Sequence, residues 1–198
     1  MSRVVVCTNL TLDGVMQSPG RPDEDTRGGF THGGWGAPYA AMPEAGEYFG
    51  SAGALLLGRR TYEDFYNVWP ARNDGRFTPW LTNTQKYVAS TTLAEQLPWA
   101  NSTLLRGDAR DAVAKLRAQP GKDLLVLGSG ALVRSLMSRQ LVDLYVLLIH
   151  PIVLGSGARL FAEGVRGDTL RLVGTKTTAT GVIIATYEPV ERDTSSTP

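Results

Sequence analysis

Three apolar runs in this 198-residue chain each end in a turn suited to holding phosphate. Ala54-Leu55-Leu56-Leu57 runs into Gly58-Arg59-Arg60-Thr61, and Lys86-Tyr87-Val88-Ala89 into Ser90-Thr91-Thr92. Leu124-Leu125-Val126-Leu127 runs into Gly128-Ser129-Gly130, with Ala131 and Leu132 opening the segment that follows. Where a strand meets a helix start, unpartnered N–H groups and the helix dipole favour an anion. Glycine lets the backbone approach a pyrophosphate closely, arginine offers a fixed fork of donors, and hydroxyls add hydrogen bonds. Each turn also has a plain reading: a tight strand-to-helix turn, a solvated helix start, or a local cap before Leu93. Three such turns in one small chain match a ligand carrying several phosphates, and a dinucleotide with an extra phosphate, such as NADPH, fits that count. The G-x-G-x-x-G fingerprint is not met, because Gly128-Ser129-Gly130-Ala131-Leu132-Val133 lacks the third glycine. A Rossmann dinucleotide fold is therefore disfavoured.

Other groups could act on a substrate. Asp13 either orients a substrate hydroxyl or forms a turn with Gly14. Glu44 and Glu47 are acids before the second strand, near a helix's positive end. Trp35, Tyr39, Tyr48 and Trp69 either stack on a flat heteroaromatic substrate or plug the core. His32 sits among glycines. His32 and His150 lack the i, i+4 spacing of a helical zinc motif, and no metal site is expected. The single cysteine, Cys7, lies inside an apolar run and reads as a small core residue.

The elements that must position these groups alternate. Strands are predicted over 4–8, 54–57, 86–89, 102–105, 124–127 and 142–149, with helices over 43–51, 61–66 and 131–138. A further helix from Asp108, an N-cap residue, runs through Gln119. A closing hairpin of 170–178 and 182–188 turns at Thr180-Gly181. Residues 10–43 read as a long loop rich in Gly, Pro, Asp and Thr, of the kind that is usually functional or mobile. Residues 68–84 read as turn-rich. The fold class is α/β: a mostly parallel central sheet with helices on both faces and an antiparallel C-terminal hairpin. One domain over 1–190 is expected, with a polar tail over 191–198.

Composition excludes several classes. Apolar content is 42%, and 20 basic residues against 19 acidic ones leave a net charge of +1, so no nucleic-acid or anionic-membrane footprint appears. No apolar run is long enough to span a bilayer, and the N-terminus lacks a secretory signal, so a cytoplasmic location is expected.

The chain resembles the dihydrofolate reductase-like superfamily, and within it the bacterial group related to the reductase domain of bifunctional riboflavin-biosynthesis enzymes. The resemblance rests on Thr11-Leu12-Asp13-Gly14-Val15-Met16-Gln17, Leu57-Gly58-Arg59-Arg60-Thr61-Tyr62, Tyr87-Val88-Ala89-Ser90, Val126-Leu127-Gly128-Ser129-Gly130 and Ile149-His150-Pro151-Ile152-Val153-Leu154-Gly155-Ser156-Gly157. It implies NADPH as hydride donor. Arg59, Arg60 and Thr61, preceded by Gly58, would hold the adenosine side, and Ser90 and Thr91 would lie near the 2′-phosphate. Gly128, Ser129, Gly130 and Ala131, flanked by Leu127 and Leu132, would line the pyrophosphate. Leu12, Asp13 and Gly14 would open a mobile loop over the nicotinamide, with Gly155-Ser156-Gly157 packed against it. A homodimer and a small-molecule substrate are implied. Dihydrofolate reductases carry an acid on the helix after that loop, and neither Glu44 nor Glu47 falls cleanly on the expected spacing. The partner zinc deaminase needs His-x-Glu and Pro-Cys-x-x-Cys segments that one cysteine cannot supply, so a stand-alone reductase-like domain is expected. The functions this leaves are an NADPH-dependent reductase of a small heterocyclic or imine-like substrate, a non-catalytic NADP-binding protein, and a true dihydrofolate reductase.

Overall fold

A computed structural model describes residues 1–40, 43–72, 77–161 and 169–190. Among the described residues, eight strands form one sheet: β1 (Val4–Thr11), β2 (Ala52–Gly58), β3 (Gln85–Ala89), β4 (Ser102–Leu105), β5 (Asp123–Leu127), β6 (Leu144–His150), β7 (Leu170–Thr177) and β8 (Ile183–Pro189). Their order is β4-β3-β2-β5-β1-β6-β8-β7. The first six are mutually parallel. β8 inserts between β6 and β7 and runs antiparallel to both, as the predicted closing hairpin requires. The dihydrofolate reductase-like α/β architecture anticipated from the sequence is therefore the one observed. The anticipated tail over 191–198 lies outside the described residues.

Side-chain alternation along each strand divides the interior in two. Val4, Val6, Leu56, Leu124, Val126, Tyr145 and Leu147 enter one apolar cluster, and their neighbours Val5, Cys7, Leu55, Leu57, Leu125, Leu127, Val146 and Leu148 enter the other. A strand apolar on both sides needs cover on both sides. Helices α4 (Ala109–Ala118) and α5 (Gly130–Met137) cover the first face through Val113, Leu132, Val133, Leu136 and Met137. Helices α1 (Gly46–Ser51), α2 (Arg59–Val68) and α3 (Phe77–Asn83) cover the second through Phe49, Tyr62, Phe65 and Leu81.

Local signals explain most boundaries. Asp108 caps α4 by accepting the Arg110 backbone N–H at 2.9 Å. Gly181, at φ 85°, makes the hairpin turn. Helix α3 differs from expectation, since residues 68–84 carry prolines and tryptophans and read as turns. Its C-terminal carbonyls are collected by the buried Lys86 ammonium, which donates to Leu81 O at 2.8 Å, Thr82 O at 3.1 Å and Thr84 O at 2.7 Å. A cap supplied by a strand residue leaves no local signature in the helix itself. The Trp99 ring lies 4.6 Å from the same ammonium.

Candidate functional site

The order β4-β3-β2-β5 brings the three predicted turns to one edge of the sheet, at the C-terminal ends of parallel strands. A cleft of about 340 Å³ opens there, lined by Arg59, Ala89, Ser90, Thr91, Thr92 and Gly107. Arg59 reaches Glu63 only at 3.3 Å, one turn along α2, and Arg60 is exposed. Ser90 Oγ accepts the N–H groups of Thr92 and Leu93, each at 3.1 Å. Ser90 thus shapes the turn, while Thr91 stands exposed at the lip of the cleft.

The turn after β5 is built around two left-handed residues, Gly128 at φ 57° and Ser129 at φ 60°. A serine rarely holds that conformation. Here the Ser129 hydroxyl accepts the Gly58 N–H at 2.8 Å and donates to Thr61 Oγ1 at 2.9 Å, locking the turns of β5 and β2 together. The side chains of Ser129 and Thr61 therefore point at each other, and the turn offers a ligand its backbone. A Cβ on Gly130 would stand 2.7 Å from Met16 Sδ, so the Met16 side chain lies against the start of α5. Ala131 is exposed, whereas Leu127 and Leu132 face the two core clusters.

Asp13 is fully engaged. Its carboxylate accepts the Thr11 hydroxyl at 2.6 Å, the Gly155 N–H at 2.8 Å and the Leu154 N–H at 3.2 Å. Arg159 stands 3.6 Å away. The Thr11 hydroxyl foremost, with the two backbone donors, pulls the Asp13 carboxyl down to about 2. At neutral pH it is an anion that ties the segment after β1 to the segment after β6. Gly14, at φ 80°, closes the turn by donating to Thr11 O at 2.9 Å, and Leu12 is exposed beside it.

The segment between β1 and α1 folds back on itself. Gly33 packs so tightly on Pro22 that a Cβ there would lie 2.6 Å from the Pro22 carbonyl oxygen. Arg21 anchors the segment to α2 through Asp64 at 2.5 Å. It carries Trp35 and Tyr39 onto the end of β6, where each ring centroid lies 5.1 Å from that of His150, nearly perpendicular to it. His32 stays exposed, edge-on to Phe30.

His150 is completely buried, and its Nε2 lies 2.9 Å from Asn9 Oδ1 on β1. Burial without a compensating charge lowers its pKa to about 4, so the imidazole is neutral at physiological pH. Neither Asn9 nor His150 was singled out for this end of the site by residue type. The signal was parity: Asn9 continues the inward series Val5, Cys7, and His150 the series Leu144, Val146, Leu148.

The other anticipated residues separate. Tyr48 OH meets Thr186 Oγ1 at 2.9 Å, and Glu47 pairs with Lys176 at 2.7 Å on the outer hairpin. Glu44 is half-buried, and its Oε2 has no hydrogen-bond partner among the described residues. Trp69 joins a different aromatic group, against Phe77 at 4.9 Å and Phe65 at 6.2 Å. The structure thus gathers Trp35, Tyr39, His150 and Asn9, and places Trp69 elsewhere.

A strand order of this kind is that of the dihydrofolate reductase-like fold. More narrowly, the chain belongs to the RibD C-terminal domain family, whose model matches residues 3–184. The uncharacterized Bacillus subtilis protein YyaP is 28% identical over 197 residues, covering 93% of this chain and 94% of its own. Among solved structures, a pyrimidine reductase-like protein from Corynebacterium diphtheriae superposes with a TM-score of 0.67 at 13% identity, covering 96% of this chain and 93% of that one. Dihydrofolate reductase from Enterococcus faecalis, complexed with NADP(H), superposes with a TM-score of 0.59 at 14% identity, covering 96% and 97%. At such identities the superpositions establish the shared fold. No helix among the described residues is long and apolar enough to cross a membrane.

Proposed function

We propose that this protein is an NADPH-dependent reductase of a small, flat heterocyclic or imine-like substrate. The observation that carries the reading is the convergence of Arg59, Ser90–Thr92 and Gly107 around one cleft, beside the glycine-flanked start of α5. These residues fit a phosphorylated dinucleotide. At Gly128, where a Cβ would meet nothing nearer than Thr61 at 3.7 Å, the bare backbone leaves room for a pyrophosphate, and Arg59 supplies a cation for a further phosphate. Bound there, NADPH would supply a hydride. Arg59 and Arg60 would hold the adenosine side, Thr91 and Thr92 the 2′-phosphate, and the Gly128–Ala131 backbone the pyrophosphate.

The protein's own contribution is position, exclusion of water and a proton. Trp35 and Tyr39 form an apolar cover over the ends of β1 and β6. Asp13 holds the two neighbouring segments in register. Glu44 is the acid left for proton transfer, since Asp13 and Glu47 are committed to other partners. Its unpartnered oxygen favours a catalytic reading over a purely cofactor-binding one.

Titration of the purified protein with NADPH and, separately, NADH tests this directly. Micromolar binding that prefers NADPH supports the reading, and absence of binding to either removes it. Turnover of pterin, pyrimidine and imine substrates, with Glu44→Gln as the control, then separates a reductase from a binding protein.

A further inference from the structure

His150 poses a question that the cofactor cleft does not answer. It is fully buried, yet its Nδ1 has no partner among the described residues. Asn9 Oδ1 is an acceptor, so the 2.9 Å contact requires the proton on Nε2. Nδ1 then carries a bare lone pair. The nearest covering groups cannot satisfy it. The Trp35 indole N–H is already donated to Gln17 O at 2.7 Å, and Trp35 and Tyr39 meet the imidazole as ring contacts. Buried acceptors without donors are rare and unfavourable in native proteins, and each calls for a physical reason.

The two rings stand on the segment between β1 and α1, outside the strand pairing, with the Trp35 indole held by Gln17 O. Asn9 and His150 stand on the adjacent interior strands β1 and β6, where backbone pairing fixes their positions. An acceptor fixed by strand pairing beneath two aromatic rings suits a flat ring that carries a donor.

The geometry points to His150 as a specificity-determining residue, whose Nδ1 accepts a hydrogen bond from a ring N–H or amino group of the substrate. The inference rests on the reading of this end of the protein as the substrate side of a reductase. A heterocycle with such a donor completes the acceptor. One without it leaves the lone pair stranded and binds more weakly, which is how buried polar groups discriminate between isosteres.

Two small probes test this, 2,4-diaminopyrimidine and the donor-free isostere 2,4-dimethylpyrimidine. Calorimetry is run on the NADPH-loaded protein. Nitrogen-15 NMR is run on protein labelled at its two histidines. We expect the diamino compound to bind about tenfold tighter or better, the scale of one buried hydrogen bond. The Nδ1 resonance of His150 should move with that probe and stay in place with the other. His150→Leu should lose the tenfold preference while keeping its NADPH affinity, and His150→Asn, which retains an acceptor, should recover part of it. Equal affinities for the two probes, no binding of either, or an unmoved Nδ1 resonance would each overturn the inference. Loss of NADPH binding by the wild-type protein would instead overturn the reductase reading, and is scored separately.

Discussion

The Ser129 hydroxyl accepts the backbone N–H of Gly58 at 2.8 Å, across 71 residues of sequence. One side chain thereby joins the turn after β5 to the turn after β2 and holds itself in a left-handed conformation that costs about 1–2 kcal/mol. Ser129→Ala loses both this bond and the one to Thr61, yet keeps the strained φ. We expect it to lose about 1–2 kcal/mol of stability and to bind NADPH several-fold more weakly. Ser129→Gly, which relieves the strain, should fall between Ala and wild type in urea denaturation. Equal stability of the alanine variant would show that the bridge contributes nothing.

Arg59 lines the cleft and has only a long contact to Glu63. Arg59→Ala should weaken NADPH binding by roughly tenfold or more, the scale of a charge-assisted bond, with little change for NADH. The ratio of the two dissociation constants is the readout. Parallel losses for both dinucleotides would move the 2′-phosphate site elsewhere.

Asp13 sets an acid dependence of stability. Its carboxyl is lowered from 3.8 to about 2 in the folded protein, so its contribution is present above pH 3.8 and is lost as pH falls toward 2. Asp13→Asn should flatten that acid limb and loosen the 154–155 segment. Because Asp13 titrates so low, no activity limb near neutral pH should vanish in this variant.

His150 acts in the same direction over a higher window. Its folded pKa, lowered from 6.5 to about 4, means that the unfolded chain takes up a proton which the folded one refuses. Stability should therefore fall as pH drops from 6.5 toward 4, by roughly 3 kcal/mol at about 1.36 kcal/mol per unit. His150→Leu should remove this slope, which denaturation at stepped pH will show.

Lys86 is expected to matter to the fold and not to the ligand. Lys86→Met strands the carbonyls of Leu81 and Thr84 at the end of α3, while Thr82 O keeps its Asn101 amide donor at 3.2 Å. A loss of roughly 3 kcal/mol is expected, the scale of a charge-assisted bond lost together with stranded buried acceptors. NADPH affinity of the folded fraction should be unchanged.

Much of the architecture could be read from the chain itself. The run Leu55-Leu56-Leu57, apolar at every position, required cover on both faces, and helices lie on both. Asp108 capped the helix that it was expected to cap, and Gly181 turned the hairpin. These signals are local, because a cap or a turn is decided by residues a few positions apart. Helix α3 was not legible for the opposite reason, since its end is capped by a residue of the next strand. Of the site, the turns after β2, β3 and β5 were legible through glycine, arginine and hydroxyl content next to apolar runs. The part played by each side chain was not, as Ser90 and Ser129 show by bonding within the protein.

The sequence alone determined the α/β alternation, the positions of the turns and the resemblance to reductases, since each depends on the order of neighbouring residue types. Only the tertiary structure decided which acids are committed and which aromatic rings share a site. Asp13 meets Gly155 across 142 positions, and Asn9 meets His150 across 141. Such pairings follow from strand order, and strand order is set by burial of the whole sheet on both faces, a property that no short segment carries.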